Sequence, residues 1–180
     1  MVNEEEIRLN TPESDVVLPP QKDCVCDGSC EDSPVTPETE GGEKCGVCSY
    51  FTTIINSVSI AHSYHLKTHK HRDHVALQEY YEDMPDAIDS LVELYQGVYG
   101  VVETGCCELS AGDMSEVDYF RALRSYVITG RSNFIPEENT EMWSAVDDIL
   151  AIIDSLLYKL TAFNECVIKT FEEFCFEDLK

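Results

Sequence analysis

The chain has 180 residues with 35 acidic and 12 basic side chains, which gives a formal net charge of −23 and a pI near 4.3. Such a surface repels nucleic-acid phosphates, because phosphate binding needs clustered Lys and Arg, and it attracts cations and basic proteins. No run approaches the ~18 apolar residues of a membrane span, and the acidic start lacks the order of a signal peptide. We therefore expect a cytoplasmic protein that binds neither DNA nor a membrane.

The first 44 residues differ in composition from the rest of the chain. They hold five of the seven prolines and many acidic residues. A segment with so few apolar side chains cannot offset the entropy lost on ordering. The sequence predicts a largely disordered acidic tail over residues 1–44 and a folded domain over residues 45–180.

The first predicted helix begins with Ser49 as its N-cap and fades in the polar run 67–72. Its apolar positions recur every three or four residues, which is typical of one buried helix face. That face consists of Phe51, Ile54, Ile55, Val58, Ala61, His62 and His65.

A second helix is predicted from Arg72 or Asp73 to the glycines at 97 and 100. Pro85 lies inside it and lacks a backbone donor, so we expect a kink or a break just before the proline. The buried stripe of this helix consists of Leu77, Tyr81, Met84, Ile88, Leu91 and Tyr95.

A glycine-containing connection over 97–114 precedes two further predicted helices. Ser115 begins a capping box with Asp118, and Gly130 is expected to end the third helix. Asn139 or Thr140 caps the fourth helix, whose pattern continues towards Phe174. The predicted buried faces are Val117, Phe120, Leu123, Tyr126 and Val127, then Trp143, Val146, Ile149, Ile153, Leu156, Leu157, Leu160 and Phe163. Four amphipathic helices with a long second connection predict an all-α four-helix bundle with a crossover, the ferritin-like plan.

Candidate metal ligands lie along the second helix and at the end of the first. Within the second helix they share an arc of about 100° beside the apolar stripe. Imidazole and carboxylate together suit iron, zinc or manganese, and a cation would offset the cost of burying the acids. The alternative is that these residues are polar side chains at the edge of the core. The candidates are His62, placed on the buried side of the first helix, and His74, Gln78, Asp89 and Glu93.

The spacing His62-x11-His74-x14-Asp89-x3-Glu93 resembles the ferroxidase signature of the Dps-like branch of the ferritin superfamily. Tyr81 agrees with the aromatic residue found there, and the likeness covers about residues 50–100. Gln78 stands where the family has an aspartate, and Leu94 where it has a basic residue.

The resemblance implies an iron site between two subunits. His62 and His74 of one chain would face Asp89 and Glu93 of a two-fold mate, so a dimer at least is expected and a larger shell by further assembly. Iron(II) would be bound there, oxidised by oxygen or peroxide, and stored or detoxified as the ferric product.

Five cysteines near the predicted tail have the pattern C-x-C-x3-C-x14-C-x2-C: Cys24, Cys26, Cys30, Cys45 and Cys48. Four thiolates around zinc would order this segment, and free thiols are the alternative. In a cytoplasm we expect reduced thiols or metal ligands in preference to disulfides.

Two further functions stay open beside the iron-binding hypothesis. One is a non-enzymatic acidic protein that occupies the nucleic-acid site of a basic partner. The other is a zinc-stabilised structural protein without a working site in the bundle. The basic, histidine-rich tract over residues 65–74 would suit a metal, an acidic partner or a solvated turn. Hydrolase, kinase and dinucleotide motifs are absent from the sequence.

Overall fold

The computed structural model describes residue 18, residues 40–102, residue 104 and residues 110–162, with the side chains of residues 40–45 outside that description. This part of the chain contains four α-helices and no β-strand, which confirms the predicted all-helical class. The helices are α1 Glu40–Lys67, α2 His71–Tyr99, α3 Glu116–Phe134 and α4 Thr140–Thr161. None of these helices combines the length and the apolar character that crossing a membrane requires.

The four helices form a bundle in which each helix packs against two others. α1 packs on α2 and α3, and α4 packs on the same two helices, so α1 and α4 are diagonal, as are α2 and α3. Every neighbouring pair is antiparallel. The hydroxyl of Tyr50, early in α1, donates to the carbonyl of Val127, late in α3, over 3.1 Å.

The connection between α2 and α3 runs from one end of the bundle to the other. The hydroxyl of Tyr64, near the end of α1, donates over 2.9 Å to the carbonyl of Met114, just before α3. The start of α3 therefore lies beside the end of α1 and the start of α2. Because α2 is 29 residues long, or roughly 43 Å, the end of α2 and the start of α3 lie at opposite ends of the bundle. The predicted crossover is confirmed in that the connection joins opposite ends of the bundle.

Burial follows the predicted faces closely. Phe51, Ile54, Met84 and Leu91 are inaccessible, and Ile149 joins them from α4. The N-cap of α3 forms as predicted, since Ser115 Oγ accepts from the Asp118 amide at 3.2 Å. The Asp118 carboxylate accepts from the Ser115 hydroxyl at 2.7 Å, whereas a full capping box has it accept from the Ser115 amide. Leu18, the single described residue before α1, packs against this core.

The first helix begins at Glu40, nine residues before the predicted N-cap, so the placement of that cap was wrong. Ser49 lies inside α1, where its carbonyl accepts a bond from Thr53 Oγ1 at 2.7 Å. Contact with α3 favours the extension, because Gly46 packs so closely against the Phe134 ring that an added Cβ would lie 2.8 Å from it. The predicted disorder of the tail before residue 40 lies outside the described residues, as does the extension of α4 towards Phe174.

The break expected at Pro85 and the helix end expected at Gly130 are both absent, while a kink at Pro85 stays a prediction. α2 runs unbroken through Pro85, since Met84 and Ile88 on either side are buried and their packing outweighs the cost of about 3 kcal/mol for a proline. α3 continues past Gly130 to Phe134. Gly130 is buried under the Tyr50 ring, so its missing side chain serves close packing and does not end the helix.

Raising the pH above 10 is expected to destabilise the bundle. Burial raises the pKa values of Tyr50, Tyr80 and Tyr119 far above the ordinary 10.0, and burial and nearby carboxylates raise that of Tyr64 to about 12. The stabilisation is fully present below pH 10 and is lost as the pH rises towards the folded values, by about 1.4 kcal/mol per pH unit for each fully buried phenol. Phenolate absorbance and circular dichroism, followed together against pH, check this. Ionisation of all the tyrosines near pH 10 in a chain that keeps its helical signal would contradict it.

Candidate metal centre at the turn between the first two helices

All five histidines of the chain lie within residues 62–74, at one end of the bundle. The turn between α1 and α2 has only three residues, 68–70, which brings the last turn of α1 beside the first turn of α2. The Thr68 amide donates to the Tyr64 carbonyl at 2.9 Å, and the His74 amide donates to the Lys70 carbonyl at 3.0 Å. These bonds position the histidines of the two helices side by side.

His65 and His74 stack on each other with ring centroids 3.6 Å apart and planes 27° apart. Nδ1 of His65 lies 2.9 Å from the His74 carbonyl, and Nδ1 of His74 lies 3.2 Å from the His65 carbonyl. A carbonyl only accepts hydrogen bonds, so each Nδ1 carries the hydrogen and donates it. In the neutral ring the lone pair then lies on Nε2, the tautomer that metal-binding histidines commonly present.

His62 lies one turn before His65 and contacts the same tyrosine of α2. Its ring centroid is 5.8 Å from that of His65 and 4.8 Å from that of Tyr81. The prediction that His62 lies on the buried side of α1 was wrong, since its side chain is exposed. Its position is about 60° around the helix from His65, which places it at the solvent-exposed edge of the interface with α2.

The carboxylates of the predicted site lie farther along α2. Asp89 and Glu93 are exposed, and Gln78 is half-buried and donates to Glu82 at 2.8 Å. Asp89 follows His74 by fifteen residues, or about 22 Å of helix, so one chain does not bring the imidazoles and the carboxylates together. Within the described side chains, no group of three or more His, Cys, Asp or Glu could hold a metal ion.

A buried carboxylate supports the turn that carries the histidines, and sequence reasoning missed it. Asp73 is 2% exposed, accepts from Arg72 at 2.7 and 3.0 Å, and lies 3.5 Å from the Lys70 ammonium. An acidic group in the first turn of α2 also interacts favourably with the helix dipole. The basic residues of the histidine-rich tract are therefore partly used in holding this turn.

Of the five cysteines in the predicted zinc pattern, only Cys48 has a described side chain. This residue forms a disulfide, so its sulfur is not a thiolate that could bind zinc here, contrary to the expectation of a reduced residue. The side chains of Cys24, Cys26, Cys30 and Cys45 lie outside the described residues, and zinc binding by them stays a prediction.

The chain belongs to a family of unknown function, DUF5856, whose model matches residues 65–160, more than half of the sequence. The match includes α2, α3 and nearly all of α4, together with His65 and His74. No curated protein matches the chain significantly, and no solved structure does either.

Proposed function

We propose that the protein binds and oxidises iron(II) between two copies of the chain. His62 and His74 of one copy would face Asp89 and Glu93 of the other. The observation that carries this proposal is the hydrogen bond from Nδ1 of His74 to the His65 carbonyl. It leaves Nε2 of His74 as the metal-binding atom of the neutral ring, and an outer partner of this kind orients a ligand before the metal arrives.

The exposed carboxylates support an assembly. Asp89 and Glu93 make no ion pair within the described residues and are accessible to a second copy. A two-fold dimer that pairs the α1–α2 faces of two chains would form two equal sites, each with imidazoles from one chain and carboxylates from the other. This mixed set of nitrogen and oxygen ligands suits iron(II).

The order of the helices also favours this function. A bundle of two antiparallel hairpins joined by one long crossover is the plan on which ferritin-like proteins place their metal sites. Here α1 and α2 form one antiparallel hairpin, α3 and α4 form another, and α3 begins at the end of the bundle opposite to the end of α2, which supports this plan. We therefore propose a ferritin-like protein that would store or detoxify iron, with an oligomer as its working form.

The test is iron(II) oxidation by variants that each lack one half of the site. His62→Ala with His74→Ala, and Asp89→Asn with Glu93→Gln, are each expected to reduce the rate to that of buffer. Coexpressing the two double variants should restore about a quarter of the wild-type rate, because half of the randomly mixed dimers contain one intact site.

Glu141→Gln is the matched control, since Glu141 is an exposed acid on α4 that is not part of the proposed site. It should oxidise iron as the wild type does, and all variants should keep their helical circular dichroism. A wild-type protein that oxidises iron(II) no faster than buffer, or that sediments as a monomer, would refute the proposal.

A second candidate function has its own support in the charge of α2. Its outer face carries six exposed acids, and of these only Glu79 is ion-paired within the described residues, with Lys159. The six are Glu79, Glu82, Asp83, Asp86, Asp89 and Glu93. Such a face would bind a basic protein through electrostatic complementarity without any enzymatic activity. Salt-sensitive binding to a basic partner, unaffected by His62→Ala with His74→Ala, would favour this function.

A further inference from the structure

We propose that His62 and His65 bind one divalent transition-metal ion of the zinc, nickel or copper class within a single chain. The site lies at the end of α1 beside the ring of Tyr81. It shares His62 with the proposed iron site but goes beyond it, because it uses His65 and requires neither a second copy nor the carboxylates of α2. Imidazole nitrogen is a preferred ligand of these borderline metals.

The spacing of the rings selects this pair of histidines. Two imidazoles that bind one ion tetrahedrally through nitrogens at about 2.0–2.1 Å have ring centroids roughly 5 Å apart, and more when the angle at the metal is wider. His62 and His65 are 5.8 Å apart, which fits. His65 and His74 are 3.6 Å apart and nearly parallel, so their lone pairs do not converge on one ion.

His74 and Tyr81 act on the pair as positioning residues. The His74 carbonyl accepts from Nδ1 of His65, which leaves Nε2 of His65 to bind the metal. The ring of Tyr81 meets His65 edge-on, with centroids 5.2 Å apart at 90°, and lies 4.8 Å from His62. His65 is thereby held in one orientation before the metal binds, which lowers the entropic cost of binding.

Burial places the ion at the boundary between protein and water. His65 is 7% exposed whereas His62 is exposed, so the ion would be held from the protein side by two nitrogens and would keep water ligands on its outer side. The net charge of −23 raises the local concentration of cations around the chain.

Zinc titration of the full-length protein tests the site, read by nitrogen NMR of the imidazole side chains. One equivalent of Zn²⁺ is expected to shift Nε2 of His62 and His65 and to leave His69 and His71 unchanged. Because this signal comes from the imidazoles, zinc bound by cysteines elsewhere does not imitate it. Zinc that shifts His69 and His71 in place of this pair would overturn the proposal.

Variants then separate this site from the iron site. His65→Phe and His62→Ala should each raise the Kd for Zn²⁺ at this site more than about tenfold, the lower end of what losing even an outer partner costs. His62→Ala changes an exposed side chain and should fold normally, so it still tests the metal site if His65→Phe does not fold. His74→Phe keeps the stacked ring and the backbone carbonyl and should change the Kd far less.

The carboxylate variant Asp89→Asn with Glu93→Gln should bind zinc at His62 and His65 as the wild type does while losing iron oxidation. Iron oxidation that is absent from the wild type, with zinc binding intact, would remove only the proposed iron function. Zinc binding by His65→Phe at wild-type strength would remove only the present site.

Discussion

Replacing Phe120 with alanine is expected to lower the free energy of unfolding by about 3–5 kcal/mol. Phe120 is inaccessible to solvent in the part of the core nearest the α1–α2 turn. Its ring lies 4.8 Å from that of Tyr80 on α2 and 6.4 Å from that of Tyr64 on α1, so one side chain on α3 joins three helices. The substitution would leave a cavity that the surrounding aromatic rings cannot easily fill. Urea unfolding followed by circular dichroism measures the loss.

Leu66→Ala is the control for this measurement, because Leu66 is 71% exposed at the end of α1. Its effect should stay within about 0.5 kcal/mol. Domains of this kind have stabilities of about 5–15 kcal/mol, so the loss at Phe120 would be a large share of the total. A Phe120→Ala protein that unfolds at the wild-type urea concentration would show that the core is not packed as described.

Gly130→Ala is expected to destabilise the protein by about 1–3 kcal/mol, although alanine is the better helix former. An added Cβ would lie 2.2 Å from two carbons of the Tyr50 ring. That ring is fully buried, and its hydroxyl is bonded to the Val127 carbonyl, so it cannot move aside without losing contacts. The clash is therefore expected to outweigh the gain in helix propensity, and urea unfolding measures the difference.

Gly97→Ala is the matched control, because it lies inside α2 and an added Cβ meets nothing within 4 Å. It should stabilise the protein by about 0.5–1 kcal/mol. In the double variant Tyr50→Leu with Gly130→Ala, the alanine should cost much less than it does alone, because the clashing ring is gone. An equal cost in both backgrounds would mean that the strain does not come from Tyr50.

Local sequence signals predicted the helices well where the apolar pattern is regular. The buried faces of α2 and α4 were predicted from 3.6-residue periodicity, and the start of α3 from the pair Ser115 and Asp118. The predictions that failed were those based on one residue type that commonly ends or interrupts a helix. Pro85 and Gly130 commonly break or end helices, but here Met84 and the Tyr50 ring decide the local structure through contacts that are distant in sequence.

The candidate site was predicted in part. The sequence singled out His62 and His74, and in the structure His62 contacts Tyr81 while His74 stacks on His65 at the same end of the bundle. The sequence did not indicate that His65 would stack on His74, because that contact depends on how α1 and α2 are aligned against each other. Asp89 and Glu93 lie too far along α2 to join the histidines in one chain, so their proposed role depends on assembly.

The sequence by itself determined the helical class, the acidic surface and the concentration of all histidines in thirteen residues, since these follow from composition and short-range periodicity. Only the tertiary structure decided which imidazoles meet, which of their nitrogens carry the lone pair and which glycine is required for close packing. Each of these features depends on contacts between two helices. The apolar periodicity of one helix does not indicate which atoms of a neighbouring helix it will contact. The short turn 68–70 places His74 against His65, and that placement gives the chain its candidate metal centre.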